Sequence, residues 1–161
     1  MNSSWYANYS YLKATYGDDW LVSSPNHPMA DENGQLLVKK GDMLPGLPEH
    51  SLNLGLEYPL TSKLSVGIDG QFNSSIYLRG DEANLLRRIP SYALFSSNVT
   101  YQLSERVIIT ARVDNIFDRE YESFGLLGEP EEVLGDDFEN PAFLSQGAPR
   151  AVWFGVRVRL D

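Results

Sequence analysis

Three arginines, a tyrosine, two acids and an asparagine crowd into the segment Tyr77-Leu-Arg-Gly-Asp-Glu-Ala-Asn-Leu-Leu-Arg-Arg88. Guanidinium groups grip carboxylates and other planar anions through paired hydrogen bonds, and a phenol ring stacks on flat or chelated ligands. Tyr77, Arg79, Asp81, Asn84, Arg87 and Arg88 are therefore the residues expected to contact a small molecule or a metal chelate. The competing expectation is structural, with Arg79 and Asp81 paired to neighbouring loops or to the wall beneath them. A second candidate is the stretch 122–147, which holds seven acids and no base. Hard cations such as calcium take carboxylate oxygens, so Asp136, Asp137 and Glu139 form a candidate cation set, although the ligand spacing of an EF-hand is missing.

Covalent chemistry has little support. His27 and His50 both stand in loop-like sequence, where they read as surface residues, and no order of Ser, His and Asp suggests a nucleophile relay. The chain has no cysteine, no phosphate-binding glycine motif and no zinc-ligand spacing. Neither an enzyme nor a resident cofactor is expected. A formal charge of -9, from 22 acids against 13 bases, argues against nucleic acid as a partner, because phosphates need a basic patch.

The elements that must position these side chains are strands. Leu52, Leu54, Leu56 and Tyr58 alternate with polar residues, as do Leu64, Val66, Ile68 and Phe72, with Gly70 a gap in that row. Ala93, Phe95, Val99 and Tyr101 form a third set, and Val107, Ile109, Ala111 and Val113 a fourth. The chain ends on Val152, Phe154, Val156, Val158 and Leu160, and a less regular first strand spans roughly Trp5 to Tyr16. No helix is expected. The pattern is an antiparallel meander of about six strands, all-β.

The connections separate by length. Tyr58-Pro-Leu-Thr-Ser-Lys-Leu64 and Tyr101-Gln-Leu-Ser-Glu-Arg-Val107 are one short turn written twice, 43 residues apart. The other connections, about 17–49, 78–89 and 122–149, are long. Short turns at one end and long loops at the other characterise outer-membrane barrels, whereas soluble sandwiches mix loop lengths at both ends. No run of residues suits a membrane helix, but a strand crosses a bilayer in about 9–11 residues. Val107 to Phe117 is long enough. Tyr58 and Tyr101 beside the short turns, and Tyr77, Tyr92, Phe117 and Tyr121 toward the long loops, suit two interfacial aromatic girdles. The first residues lack a signal peptide's basic start and apolar stretch, so an exported chain would be a mature segment or a fragment.

Specific motifs agree. Val113-Asp-Asn-Ile-Phe-Asp118, followed by Tyr121 and Gly125, resembles the V-x-N-L-F-D-x-x-Y signature near the end of TonB-dependent outer-membrane receptors. Leu44-Pro-Gly-Leu-Pro-Glu-His-Ser-Leu52 is similar to that family's lead-in to a strand. Tyr77 to Asn84, then Ile89-Pro-Ser-Tyr92, resembles its loop and re-entry, and Phe143 to Arg150 with the strand after it resembles its terminal strand. The resemblance implies a transmembrane β-barrel of about 22 strands with a plug domain inside it. Residues 1–161 would be a C-terminal portion of that barrel, without the plug and the remaining strands.

The implied function is that of an energy-coupled outer-membrane receptor for scarce substrates such as ferric siderophores or cobalamin. The implied partners are outer-membrane lipid, a small-molecule or metal-chelate substrate, and a TonB-type coupling protein acting through the plug. The chain departs from the family at its end, where Leu160-Asp161 replaces a terminal aromatic. Two alternatives are a small outer-membrane structural or adhesive β protein and a soluble β-sheet carbohydrate-binding module.

In a barrel, Val113, Phe117 and Tyr121 are expected on the lipid side, and Arg112, Asp114 and Asp118 toward the lumen. Arg112 and Arg157 read as neighbours in a lumen ladder of ion pairs. Asn115 breaks the alternation, which suits either a bulge or the outer boundary of the membrane.

Overall fold

Alternating side chains and β-branched residues need a paired backbone, and every alternating segment finds one. The computed structural model describes residues 2–135 and 139–160. Six strands form one antiparallel sheet in chain order: β1 (Ser4–Tyr11), β4 (His50–Pro59), β5 (Leu64–Asn73), β6 (Tyr92–Gln102), β7 (Val107–Asp114) and β10 (Ala151–Val158). Two hairpins stand outside it, β2 (Trp20–Ser23) with β3 (Gln35–Val38), and β8 (Glu122–Leu127) with β9 (Ala142–Gln146). A single helical turn, α1 (Pro130–Leu134), follows β8, where no helix was expected. Among the described residues no helix is long and apolar enough to cross a membrane.

Register puts the apolar rows on one face. Trp5 pairs with Leu56, Leu56 with Ile68, and Leu54 faces Gly70, which faces Phe95. Further round, Val99 pairs with Ala111, which pairs with Phe154. These side chains are uncovered: Leu56 is 47% exposed, Val156 68% and Phe154 82%. An apolar face of that extent needs an apolar solvent or a covering partner.

The two short turns are one structure used twice. Leu60 and Thr61 N–H groups donate to the Leu64 carbonyl, and Lys63 and Leu64 N–H groups donate to Thr61 Oγ1. In the second turn Leu103 and Ser104 donate to the Val107 carbonyl, and Arg106 and Val107 donate to Ser104 Oγ. The hydroxyl supplies the acceptor that a tight turn lacks, which is why Thr and Ser occupy equivalent positions.

The structure shifts three strand boundaries. β1 stops at Tyr11 instead of running to Tyr16, and β10 at Val158 instead of Leu160. β7 stops at Asp114, short of Phe117, because Asn115 takes a left-handed backbone (φ 49°) that ends the pleat. That turn is fastened on all sides. Asn115 Nδ2 donates to the Arg119 and Ala148 carbonyls, its Oδ1 accepts the Arg119 N–H, and Asp118, also left-handed, accepts the Arg150 N–H.

The turn divides side chains that strict alternation would keep together. Phe117, 74% exposed, packs edge-on to Phe95 at 5.7 Å and stays on the apolar face as expected. Tyr121 does not. It lies 4.5 Å from the Tyr92 ring and lines a cavity on the polar face with Asp69 and Asp114.

The core sits outside the sheet. Among the described residues the buried apolar side chains are Leu36, Val38, Ile76, Leu78, Ala83 and Ile89, all from the long-loop side. Leu36, Val38 and Ala83 form one cluster with Tyr16 and Val22, and Ile76, Leu78 and Ile89 form another with Leu127 and Ala142. The long loops are thus packed around two small cores, each beside a hairpin.

Candidate functional site

The ladder between β5 and β6 does not end with the sheet. Asn73 faces Tyr92, and three residues further on Ile76 and Ile89 still face each other, with backbone hydrogen bonds in both directions. Side chains alternate along such an extension, so Ile76 and Ile89 point to one side and are buried under Leu127 and Ala142. Tyr77 and Arg88, the next residues beyond this bridge, meet through their side chains.

Arg88 Nη2 donates to the Tyr77 hydroxyl at 2.9 Å, and its guanidinium lies 4.3 Å from the Tyr77 ring centroid. The arginine remains exposed, with donors to spare. At the ends of β5 and β6, Asn73 Nδ2 donates to Tyr92 Oη at 3.0 Å. Next comes a trough of about 430 Å³ lined by Tyr6, Asp69, Ser96, Arg112, Asp114 and Tyr121. Tyr92 joins this trough through its ring contact with Tyr121.

The other expected contacts separate into two groups. Arg79 and Arg87 are exposed. The Arg79 guanidinium lies 5.7 Å from the Phe124 ring centroid, and its backbone pairs with β8 by donating to the Gly125 carbonyl and accepting from the Leu127 N–H. Arg87 and Arg88 share the rim of a second cleft, about 280 Å³, floored by Leu78, Ile89 and Leu144 and flanked by Glu122.

Asp81 and Asn84 face inward instead. Asp81 has no exposed surface; its carboxylate accepts the Leu85 N–H at 2.8 Å, the Leu86 N–H at 3.0 Å and His27 Nε2 at 3.1 Å. Asn84, left-handed at φ 57°, bonds both amide atoms to the Met43 backbone. A carboxylate with no exposed surface and three donors has nothing to offer a ligand directly. The expectation that Asp81 pairs with a neighbouring loop fits this geometry, and its role is to hold the loop that carries the arginines.

His27 corrects the surface expectation. Its side chain is fully buried, Met29 N–H donates to its Nδ1 at 3.0 Å, and Nε2 therefore carries the proton that reaches Asp81. Nothing local marks this histidine, because its partner lies 54 residues away. His50 is exposed, at the start of β4, and its Nδ1 lies 2.8 Å from the Tyr9 hydroxyl. Nearby, burial pushes the Tyr16 phenol above its ordinary value, with the Glu82 and Asp42 carboxylates adding to the shift.

Asp136 and Asp137 lie outside the described residues, and Glu139 is exposed. Among the described residues no group of three or more His, Cys, Asp or Glu side chains is gathered as metal ligands would be.

No curated protein matches this chain by sequence. Residues 2–116 match the family model described as TonB dependent receptor-like, beta-barrel, which covers more than half of the chain. The chain belongs to that family.

Solved structures agree in fold. The siderophore receptor PiuA from Acinetobacter baumannii superposes with a TM-score of 0.73 at 16% identity, covering 97% of this chain and 19% of that one. The closed form of the ferric-catecholate import receptor Fiu from E. coli K12 gives 0.66 at 19% identity, over 97% of this chain and 18% of that one. The ferric enterobactin receptor PfeA from Pseudomonas aeruginosa gives 0.61 at 18%, over 97% and 20%. This chain spans about a fifth of the length of each.

Family membership assigns the two faces of the sheet. In a TonB-dependent receptor barrel the uncovered apolar rows meet lipid, and the polar rows line the lumen. It also favours the membrane readings over a soluble carbohydrate-binding module, and the family is one of receptors and transporters, not enzymes.

On the lumen face Arg112 does not join Arg157. Its cross-strand partner is Trp153, while Arg157 faces Ile108, four residues further along β10. Arg112 Nε instead donates to Asp114 Oδ1 at 2.6 Å on its own strand, and Trp153 Nε1 donates to Asp114 Oδ2 at 2.9 Å. Residues two apart on a strand share a face, so the pair forms within β7 without help from β10.

Proposed function

We propose that this chain supplies barrel wall and three outer loops to a Gram-negative outer-membrane receptor that captures an anionic small molecule, with ferric chelates as the substrate class. Residues 1–161 are read as a C-terminal portion of that barrel. Uptake is then energy-coupled, by a TonB-type partner acting on a plug domain in the lumen. The receptors similar in fold carry names that fit this class: a siderophore receptor, a ferric-catecholate import receptor and a ferric enterobactin receptor.

The observation that carries the reading is the exposed Arg88 guanidinium set against the Tyr77 ring and hydroxyl in the loop between β5 and β6, beside Arg87 on the rim of a cleft. Arg79 and Arg87 add exposed positive charge to the same loop in an otherwise acidic chain. A guanidinium over a phenol ring offers both charge-assisted hydrogen bonds and a flat contact surface, which suits a planar, negatively charged chelate.

The test is equilibrium binding to the full-length receptor in detergent, followed by tryptophan fluorescence. The probes are ferric citrate and the ferric complex of dihydroxybenzoate. Arg88→Ala is expected to weaken the preferred probe about tenfold, the effect of one charge-assisted hydrogen bond. An Arg88→Ala receptor that binds both probes as the wild type does would sink the reading.

A further inference from the structure

The loop bearing Arg87 and Arg88 is not held by its own strands alone. From Leu78 to Leu86 the chain turns back on itself, and the groups that fix the turn converge on Asp81. Its two carboxylate oxygens accept the N–H groups of Leu85 and Leu86, the residues immediately before the arginine pair. The third donor comes from a different loop: His27 Nε2, 3.1 Å from Asp81 Oδ1, with both side chains fully buried.

Three further contacts join the same two loops. Ser24 Oγ donates to the Gly80 carbonyl at 2.8 Å, Asn84 pairs with the Met43 backbone, and Ala83 packs between Leu36 and Val38 in the core of the β2–β3 hairpin.

We infer that His27 is a positioning residue for ligand contact: through Asp81 it fixes the turn that presents Arg87 and Arg88. The inference rests on the reading of Arg88 as a ligand contact. Its physical basis is the difference between a buried and an exposed hydrogen bond. An arginine gains affinity only if its guanidinium is already placed, since ordering a loop on binding subtracts from the interaction. Loop segments with few buried contacts open at little cost, whereas a buried polar group left without its partner loses the full desolvation penalty. The His27 ring is itself set, because Met29 N–H occupies Nδ1 and leaves Nε2–H aimed at Asp81. The β2–β3 hairpin therefore acts on affinity without touching the ligand.

The experiment uses the full-length receptor with three substitutions, His27→Ala, His27→Gln and Arg88→Ala, and two measurements. The first is binding of ferric citrate and ferric dihydroxybenzoate. The second is an electron-spin distance distribution between labels at Glu32→Cys and Leu85→Cys, both exposed positions in a segment that contains no cysteine of its own. His27→Ala is expected to broaden the distribution and weaken binding about tenfold. His27→Gln, whose amide nitrogen reaches the place of Nε2 and donates to Asp81, is expected to restore a narrow distribution and bring affinity within about threefold of wild type.

An unchanged distribution in His27→Ala overturns the inference. So does a broadened distribution with unchanged affinity in a receptor that Arg88→Ala weakens. If Arg88→Ala itself is silent with both probes, the functional reading fails instead, and the distance distribution alone decides whether His27 fixes the turn.

Discussion

The wall and the loops of this chain solve the same problem in opposite ways. In the six-stranded sheet none of the described apolar side chains is buried, and the backbone ladder does the joining. Lipid supplies the apolar surroundings that a soluble protein would build from its own side chains. In the loops the surroundings are water, so the chain makes two small cores and buries Val38, Asp81 and His27 within them. The difference teaches where polar satisfaction matters most. On the wall a lumen-facing group can always turn to water, whereas in the loop cores each buried donor and acceptor must find a protein partner.

That contrast predicts where a single substitution does most damage. Asp81→Ala removes the acceptor of three buried or partly buried donors at once, and each buried donor left without a partner costs about 1–3 kcal/mol. The loss is confined to the loops. Hydrogen exchange on the bilayer-embedded receptor is expected to show residues 24–43 and 78–90 deprotected while β4 to β7 stay protected. Asp81→Asn keeps one acceptor oxygen and falls between. Deprotection spreading into the strands would mean that loops and wall form a single cooperative unit, and the comparison would lose its basis.

The wall has its own vulnerable positions, and they are glycines. Tyr6 lies flat across Gly55 to donate its hydroxyl to Asp69 at 2.8 Å, and a Cβ at Gly55 would stand 2.0 Å from the Tyr6 ring. A side chain from one strand thus covers a bare stretch of its neighbour and bonds to the strand beyond. Gly55→Ala is expected to expel the ring and lose the bond, at about 1–3 kcal/mol of overpacking. Gly17→Ala, with nothing within 4 Å of the added carbon, is the neutral control. Urea unfolding from lipid vesicles would read the difference, and equal midpoints for the two variants would remove Tyr6 from the account of wall stability.

How much of this was legible in the sequence follows the same division. Strand pairing is written in a two-residue period that needs no distant information, so the six sheet strands, their order and the sidedness of turns and loops could all be read from the alternation and the repeated turn. The exceptions on the wall were backbone exceptions. Asn115 and Asp118 adopt left-handed conformations that end β7 early and send Tyr121 to the lumen face, and a parity rule cannot see a change of φ.

The loops were opaque for another reason. Ser24 meets Gly80, His27 meets Asp81 and Met43 meets Asn84 at separations of 56, 54 and 41 residues, with no periodicity to announce them. The cluster from Tyr77 to Arg88 was visible as chemistry, yet which of its polar groups face a ligand and which hold the loop depended on those pairings.

The smallest predicted effect is the one that tests the repeated turn. Thr61 Oγ1 and Ser104 Oγ each accept two backbone N–H groups in turns that are exposed to water. Their loss is partly made good by solvent, so Thr61→Ala and Ser104→Ala should each cost only about 0.5–1 kcal/mol. If the two turns are physically one motif, the costs match within about 0.5 kcal/mol, and the double variant is additive because the sites share no partner. Unfolding midpoints of the two single variants and the double provide the check. A Thr61 effect well above that of Ser104 would mean that β4–β5 depends on its turn more than β6–β7 does. The wall would then be graded along its circumference, and the symmetry read from the 43-residue spacing would belong to the sequence and not to the energetics.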